Sequence, residues 1–161
     1  MKIACIGGGP AGLYFAISMK LRDPSHQILL IERNRPDDTF GWGVVLSDEA
    51  LANVDHNDPI SARAIRDEFA YWDDVAVVKD GTRNVSSGHG FCGIGRMKLL
   101  QILQHRALEL GVELRFETEA ADYEEYMAEY DLVVASDGLR SKARVQFATV
   151  FEPQIDERLC H

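Results

Sequence analysis

The stretch IACIGGGPAG, Ile3 to Gly12, constrains this chain more than any other. An apolar run meets three consecutive glycines, and a helical pattern starts at Pro10. Lys2 to Ile6 reads as a buried parallel strand, because both faces must be apolar when a sheet is covered on both sides. Pro10 suits the first turn of the following helix, Pro10 to Leu21, where its missing N–H is not needed. Gln27 to Glu32 (QILLIE) is a second buried strand. Strand, helix and parallel strand make a right-handed βαβ unit. Gly7, Gly9 and Gly12 satisfy G-x-G-x-x-G. Gly7 permits the tight turn, Gly9 lets the backbone approach a pyrophosphate, and Gly12 allows close helix–strand packing. The helix start at Pro10 and Ala11 offers free N–H groups and a positive dipole to phosphates. Glu32 ends the next strand 20 residues after Gly12. Its carboxylate is placed to accept hydrogen bonds from ribose hydroxyls and to repel a 2′-phosphate. The loop therefore implies a dinucleotide and does not by itself say which.

The rest of the chain supplies further elements. Gly41 to Leu46 (GWGVVL) is short and apolar. Ser47 is an N-cap for a helix over Asp48 to Asn53, and Asp58 for another over Pro59 to Phe69. Tyr71 to Val78 and Arg83 to Ser87 read as antiparallel strands joined at Asp80-Gly81. Arg96 to Leu110 is an amphipathic helix stopped by Gly111. Val112 to Phe116 is a strand, Tyr123 to Tyr130 an acidic helix, and Leu132 to Ala135 a buried strand. The fold class is α/β: a Rossmann-like, doubly wound parallel sheet with an inserted antiparallel β-meander.

Size and charge narrow the function. The 161 residues suit one domain. A net charge of −9 disfavours nucleic acid and anionic membranes as partners. Cations that hold a cofactor must then be local features. No apolar run approaches the ~20 residues of a membrane span. The three cysteines, Cys5, Cys92 and Cys160, show no CxxC spacing, which fits reduced thiols in the cytoplasm. The five histidines show no metal spacing, so no metal is expected. Ser86 to Gly90 (SSGHG) has no identifiable carboxylate partner, which weakens a hydrolase reading. Glu117 to Glu129 reads as a solvated acidic face.

Three further positions are candidates for the same ligand. Arg33 is either a solvated loop residue or a partner for adenine or phosphate. Arg96 sits at a helix start, where the dipole disfavours a cation unless an anion is bound. Asp137-Gly138 is delivered by Leu132 to Ala135 to the carboxyl edge of the sheet, where ligands bind in such folds. Asp137 is otherwise a turn residue.

Together, IGGGPAGLYFA with Glu32-Arg33, GWGVVLSDEAL (Gly41 to Leu51), IGRMKLLQIL (Ile94 to Leu103) and LVVASDGLRSKAR (Leu132 to Arg144) resemble the FAD-dependent aromatic hydroxylases, single-component flavoprotein monooxygenases. GWGVVLS is similar to the branch with salicylyl-CoA and 2-aminobenzoyl-CoA hydroxylases and the violacein-pathway tryptophan hydroxylase. The resemblance implies FAD contacts at Gly7, Gly9, Pro10, Ala11, Gly12, Glu32, Arg33, Arg96, Asp137 and Gly138. It also implies that Gly43 and Val44 lie near the isoalloxazine. It implies NAD(P)H as reductant, O₂ as oxidant, a flavin C4a-hydroperoxide, and an aromatic substrate such as an aryl-CoA thioester. No acid–base side chain for the hydroxylation is identifiable. The family's further Gly-Asp flavin motif, substrate-covering sheet and C-terminal helices do not follow Arg144. The expectation is an N-terminal portion of the FAD domain, inactive alone, with apolar sheet edges exposed. A flavin-dependent reductase or dehydrogenase, and a non-catalytic FAD-binding module, are the alternatives.

Overall fold

The structure is a computed structural model and describes residues 1–120 and 122–156. Cys160 and His161 lie outside the described residues. The expected βαβ unit is present as β1 (Lys2–Ile6), α1 (Pro10–Arg22) and β2 (Gln27–Ile31). The strands run parallel, with Lys2 opposite Gln27 and Ile6 opposite Ile31. β8 (Glu113–Arg115) joins the outer edge of β2, and β9 (Leu132–Ala135) joins β1. The order β8-β2-β1-β9 is parallel throughout.

The apolar runs of β1 and β2 are explained by cover on both faces. Ile3, Cys5, Ile28 and Leu30 pack against α1 and against Leu99, Leu100 and Leu103 of α4 (Arg96–Glu109). Ala4, Ile6, Leu29 and Ile31 pack on the opposite face with Ala120, with Tyr123 of α5 (Tyr123–Glu129) and with Ala143 of α6 (Lys142–Gln146). A buried Leu or Ile contributes about 1.5–3 kcal/mol. A one-residue slip of β1 would exchange its two faces, so the register is firmly set. Cys5 is one of these core residues. Burial pushes its thiol up to about 12, which makes it a small apolar filler rather than a reactive group.

The insertion departs from the expected meander. β3 (Gly43–Leu46), β7 (Phe91–Gly95) and β4 (Ala70–Trp72) form an antiparallel sheet of order β3-β7-β4. β5 (Val75–Lys79) and β6 (Thr82–Ser86) form a separate hairpin. The single strand expected over Tyr71 to Val78 is broken because Asp73 serves the loop. Its Oδ1 accepts from the Gly90 N–H at 3.0 Å and its carbonyl from the His89 N–H at 3.2 Å. The Asp80-Gly81 turn is present, with φ of 50° and 76°, as a tight hairpin turn requires.

Ser47 caps α2 (Asp48–Asn57), its Oγ accepting from the Ala50 N–H at 3.2 Å. Asp58 occupies the N-cap position of α3 (Pro59–Arg66), but its side chain does not cap that helix. It is 1% exposed and takes both oxygens to Arg106 on α4, at 2.9 and 3.1 Å. The Ser61 hydroxyl donates to the same carboxylate at 2.6 Å. This clamp ties α3 to the helix whose first residue is Arg96. The short helix α7 (Ala148–Phe151) follows α6. Several apolar side chains are exposed, among them Trp42, Val77, Val78, Leu139 and Phe151.

Candidate functional site

A cleft of about 640 Å³ opens where β1, β2 and β9 end. Gly7, Gly9, Pro10, Ala11, Glu32, Arg33, Arg96, Asp137 and Gly138 all line it. Residues up to 131 positions apart in sequence are thus brought to one carboxyl edge, the ligand position of open α/β sheets.

The three fingerprint glycines do different things. At Gly7, with φ +111°, a Cβ would lie 2.3 Å from the Ser136 carbonyl oxygen. At Gly12 it would lie 2.2 Å from the Gly7 carbonyl oxygen, and Gly12 is buried behind the loop rather than lining the cleft. These two are demanded by the protein's own packing. At Gly9 a Cβ would meet nothing within 4 Å. Gly9 has an ordinary φ of −72°, so neither fold nor strain asks for glycine there. α1 starts at this point with Pro10 at its head, no side-chain cap and no acidic residue in its first turn. Its unpaired amides and dipole are left to the cleft.

Gly8, a spacer in the fingerprint, has a role that pattern reading missed. Its N–H donates to Glu32 Oε2 at 2.7 Å, and a Cβ would lie 2.8 Å from Glu32 Cβ. Glu32 Oε1 accepts from the Asn34 N–H at 2.8 Å and from Asn34 Nδ2 at 2.7 Å. The carboxylate is therefore held at the cleft wall, with lone-pair capacity remaining for hydroxyl donors. The only signal for Gly8 was its place as the middle of three consecutive glycines. Ser136 was missed too. Its hydroxyl donates to the carbonyls of Ile6 and Gly7, at 3.0 and 2.9 Å, and locks the loop to β9.

Arg96 heads α4 and reaches the cleft. Its Nε is buried and has no hydrogen-bond partner among the described residues. A buried guanidinium donor without a partner is costly. Arg33 is exposed at the rim, Arg140 also lines the cleft, and Lys142 is paired with Glu119 at 2.7 Å. Four cations, Arg33, Arg96, Arg140 and Lys142, face three carboxylates, Glu32, Glu119 and Asp137, so in a chain of net charge −9 the cleft is locally one charge positive and less hostile to an anionic ligand than the rest of the surface.

Asp137 Oδ2 accepts from Tyr123 Oη at 2.6 Å and from the Lys142 and Ala143 N–H groups at 2.7 and 3.3 Å. Burial raises its pKa, and donors from Tyr123, Ser141, Ala143 and Lys142 outweigh that, holding the carboxyl below its ordinary value. Burial, then the Asp137 carboxylate, pushes the Tyr123 phenol well above its ordinary value. Tyr123 thus remains a donor. Gly138 has φ +75° at the cleft edge. Gly43 and Val44 do not line the cleft. Gly43 pairs with Gly95 in β3-β7, and Val44 is half-buried against the core; Phe40, just before this segment, does reach it. Ser86 Oγ and His89 Nε2 meet at 2.8 Å at an exposed position, and neither residue lines the cleft. No group of three or more His, Cys, Asp or Glu side chains fit for a metal ion occurs among the described residues. No helix among them is long and apolar enough to cross a membrane.

No family model matches the chain. Individual relatives do. Salicyloyl-CoA 5-hydroxylase of a Streptomyces species is 44% identical over 153 residues, which is 95% of this chain and 29% of the relative. Protodeoxyviolaceinate monooxygenase of Chromobacterium violaceum is 30% identical over 165 residues, 97% of this chain and 42% of the relative. The chain thus spans well under half the length of the relatives it matches. Among solved structures, the tetrameric 2-methyl-3-hydroxypyridine-5-carboxylic acid oxygenase superposes with a TM-score of 0.77 at 24% identity, covering 91% of this chain and 42% of that one. That likeness speaks to the fold. By sequence, the chain is similar to a salicyloyl-CoA 5-hydroxylase and a protodeoxyviolaceinate monooxygenase, each matched over less than half of its length.

Proposed function

We propose that this chain is the FAD-binding portion, Rossmann-like in its sheet, of an NAD(P)H-dependent monooxygenase that hydroxylates an aromatic substrate presented as a CoA thioester. The observation that carries the cofactor reading is Arg96: a buried guanidinium Nε, without a partner among the described residues, in a cleft that also holds an uncapped helix start and open space at Gly9. These residues fit a dinucleotide diphosphate. The substrate class rests on the 44% identity to salicyloyl-CoA 5-hydroxylase.

In this reading Gly7, Gly9, Pro10 and Ala11 hold the pyrophosphate against the helix dipole, with Gly12 packing behind them. Glu32 accepts from the ribose hydroxyls, and Gly8 and Asn34 keep its carboxylate in place. Arg33 covers the adenosine end. Arg96 meets phosphate, and Asp137-Gly138 meets the flavin end. Gly43 and Val44 back the segment that carries Phe40 to the cleft. Bound FAD supplies the redox and oxygen chemistry; the chain supplies position and charge. No side chain is assigned a proton-transfer role in the hydroxylation.

The test is FAD titration of the chain and of Arg96→Ala, followed by flavin fluorescence. Loss of a charge-assisted contact raises Kd about 10- to 100-fold. An unchanged Kd, with the fold intact by circular dichroism, would remove Arg96 and the reading that rests on it.

A further inference from the structure

We infer that Tyr123 is a positioning residue for Asp137: its phenol fixes the carboxylate so that the other oxygen is presented to the bound cofactor. The inference rests on the FAD reading above. Tyr123 sits in a segment whose composition, six Asp or Glu within Glu117 to Glu129, looks merely solvated. The structure places it otherwise. It is 3% exposed, lines the cleft, and packs its ring edge-on to Phe147 with centroids 6.4 Å apart. Its backbone N–H donates to Gln146 Oε1 at 3.1 Å.

The geometry at Asp137 makes the role specific. Tyr123 Oη and the Lys142 and Ala143 amides converge on Oδ2 from two different elements, α5 and the start of α6. The Lys142 and Ala143 amides and the Ser141 hydroxyl hold the carboxylate from the α6 side. The Tyr123 phenol adds a donor from a second element, α5, and so braces the carboxylate from another direction. Of the three contacts the Tyr123 one is the shortest, at 2.6 Å, as a hydrogen bond to an ionised oxygen should be. Tyr123 touches the ligand's partner and acts through it, so it is not a catalytic residue.

A double-mutant cycle tests this. FAD dissociation constants are measured for the wild-type chain, Tyr123→Phe, Asp137→Asn and the double variant, with thermal melts of each without flavin. Tyr123→Phe keeps the ring and its packing, and Asp137 keeps its other donors, so its melting temperature should fall by only several degrees, leaving the chain folded at the temperature of the titration. It should weaken FAD binding about tenfold and should have no further effect in the Asp137→Asn background, where the oriented acceptor is already gone. The two single variants should also give the same altered visible spectrum of bound flavin. Equal effects of Tyr123→Phe in both backgrounds, or no effect in wild type, would overturn the inference while leaving the FAD reading intact. If the wild-type chain binds no FAD, the functional reading itself falls, and this inference with it.

Discussion

Gly7→Ala and Gly9→Ala, neighbours in one loop, should part company completely. In Gly7→Ala the new Cβ has to lie 2.3 Å from the Ser136 carbonyl oxygen, in a backbone with φ +111°. Strain at such a φ costs about 1–3 kcal/mol and overpacking about 1–3 more. The sum is a large part of the roughly 5–15 kcal/mol that holds a domain together. The obstacle is a backbone oxygen of the β9 edge, which cannot step aside like a side chain. Gly7→Ala should therefore melt far below wild type and lose FAD with the fold. Gly9→Ala meets no atom within 4 Å and has an ordinary φ. Its melting temperature should stay within about 2 °C of wild type, yet its methyl group occupies the space where the pyrophosphate must approach, and FAD affinity should fall beyond detection. Melting curves and flavin titrations of the two variants check both halves. A Gly9→Ala chain that binds FAD normally would show that the open space at this position belongs to no ligand.

Asp58→Ala should be among the most destabilising single changes outside the cleft. It strands Arg106, whose side chain is 12% exposed, without its bidentate partner. Removing one member of a buried pair costs about 3–5 kcal/mol, or roughly 10 °C in a chain of this size. The Arg106→Met, Asp58→Ala double variant should recover part of that loss, because no buried charge is left without a partner and Glu109, which also loses Arg106, is exposed to water. The clamp also has an acid signature. Burial raises the Asp58 pKa, but hydrogen bonds from Arg106 and Ser61 and the Arg106 charge together lower it below its ordinary value. A depressed carboxyl stabilises the fold above its unfolded value, about 3.9, and that contribution is lost as pH falls through the lower folded value. The stability of wild type should thus decline below about pH 4, and the decline should be shallower in Asp58→Ala. Urea denaturation at several pH values reads both effects. Asp58→Ala with wild-type stability would mean that the pair is not formed.

How much of this was legible in the sequence follows from how local each feature is. The βαβ unit was readable because a strand covered on both faces must be an apolar run, and QILLI leaves little alternative. LVVA was rightly read as a strand but wrongly as a buried one: β9 is the edge of the sheet, and its residues are half-buried or exposed. Glu32, Arg96 and Asp137 were readable because each stands at the edge of such an element. β7 was hidden: FCGIG carries two glycines and runs straight into α4, so its residues looked like a loop opening a helix. The insertion was read as one meander because β4 and β5 form a nearly continuous run of strand-like residues. What divides them is the pairing of Asp73 with Gly90 and His89, which no local pattern reveals. Asp58 before a proline looks like a cap, and its real partner lies 48 residues further on. Tyr123 and Gly8 were missed for the same reason. Their roles are set by Asp137 and Glu32, 14 and 24 residues away, and only the fold supplies those distances.

The central claim is that this cleft holds FAD. It is tested most directly by incubating the purified chain with excess FAD, separating free flavin by gel filtration, and recording the visible absorbance of the protein peak; a parallel sample receives NADH instead. Flavin that co-elutes with the chain, with a spectrum shifted from that of free FAD, is the predicted result. A protein peak that carries no flavin but retains NADH would contradict it.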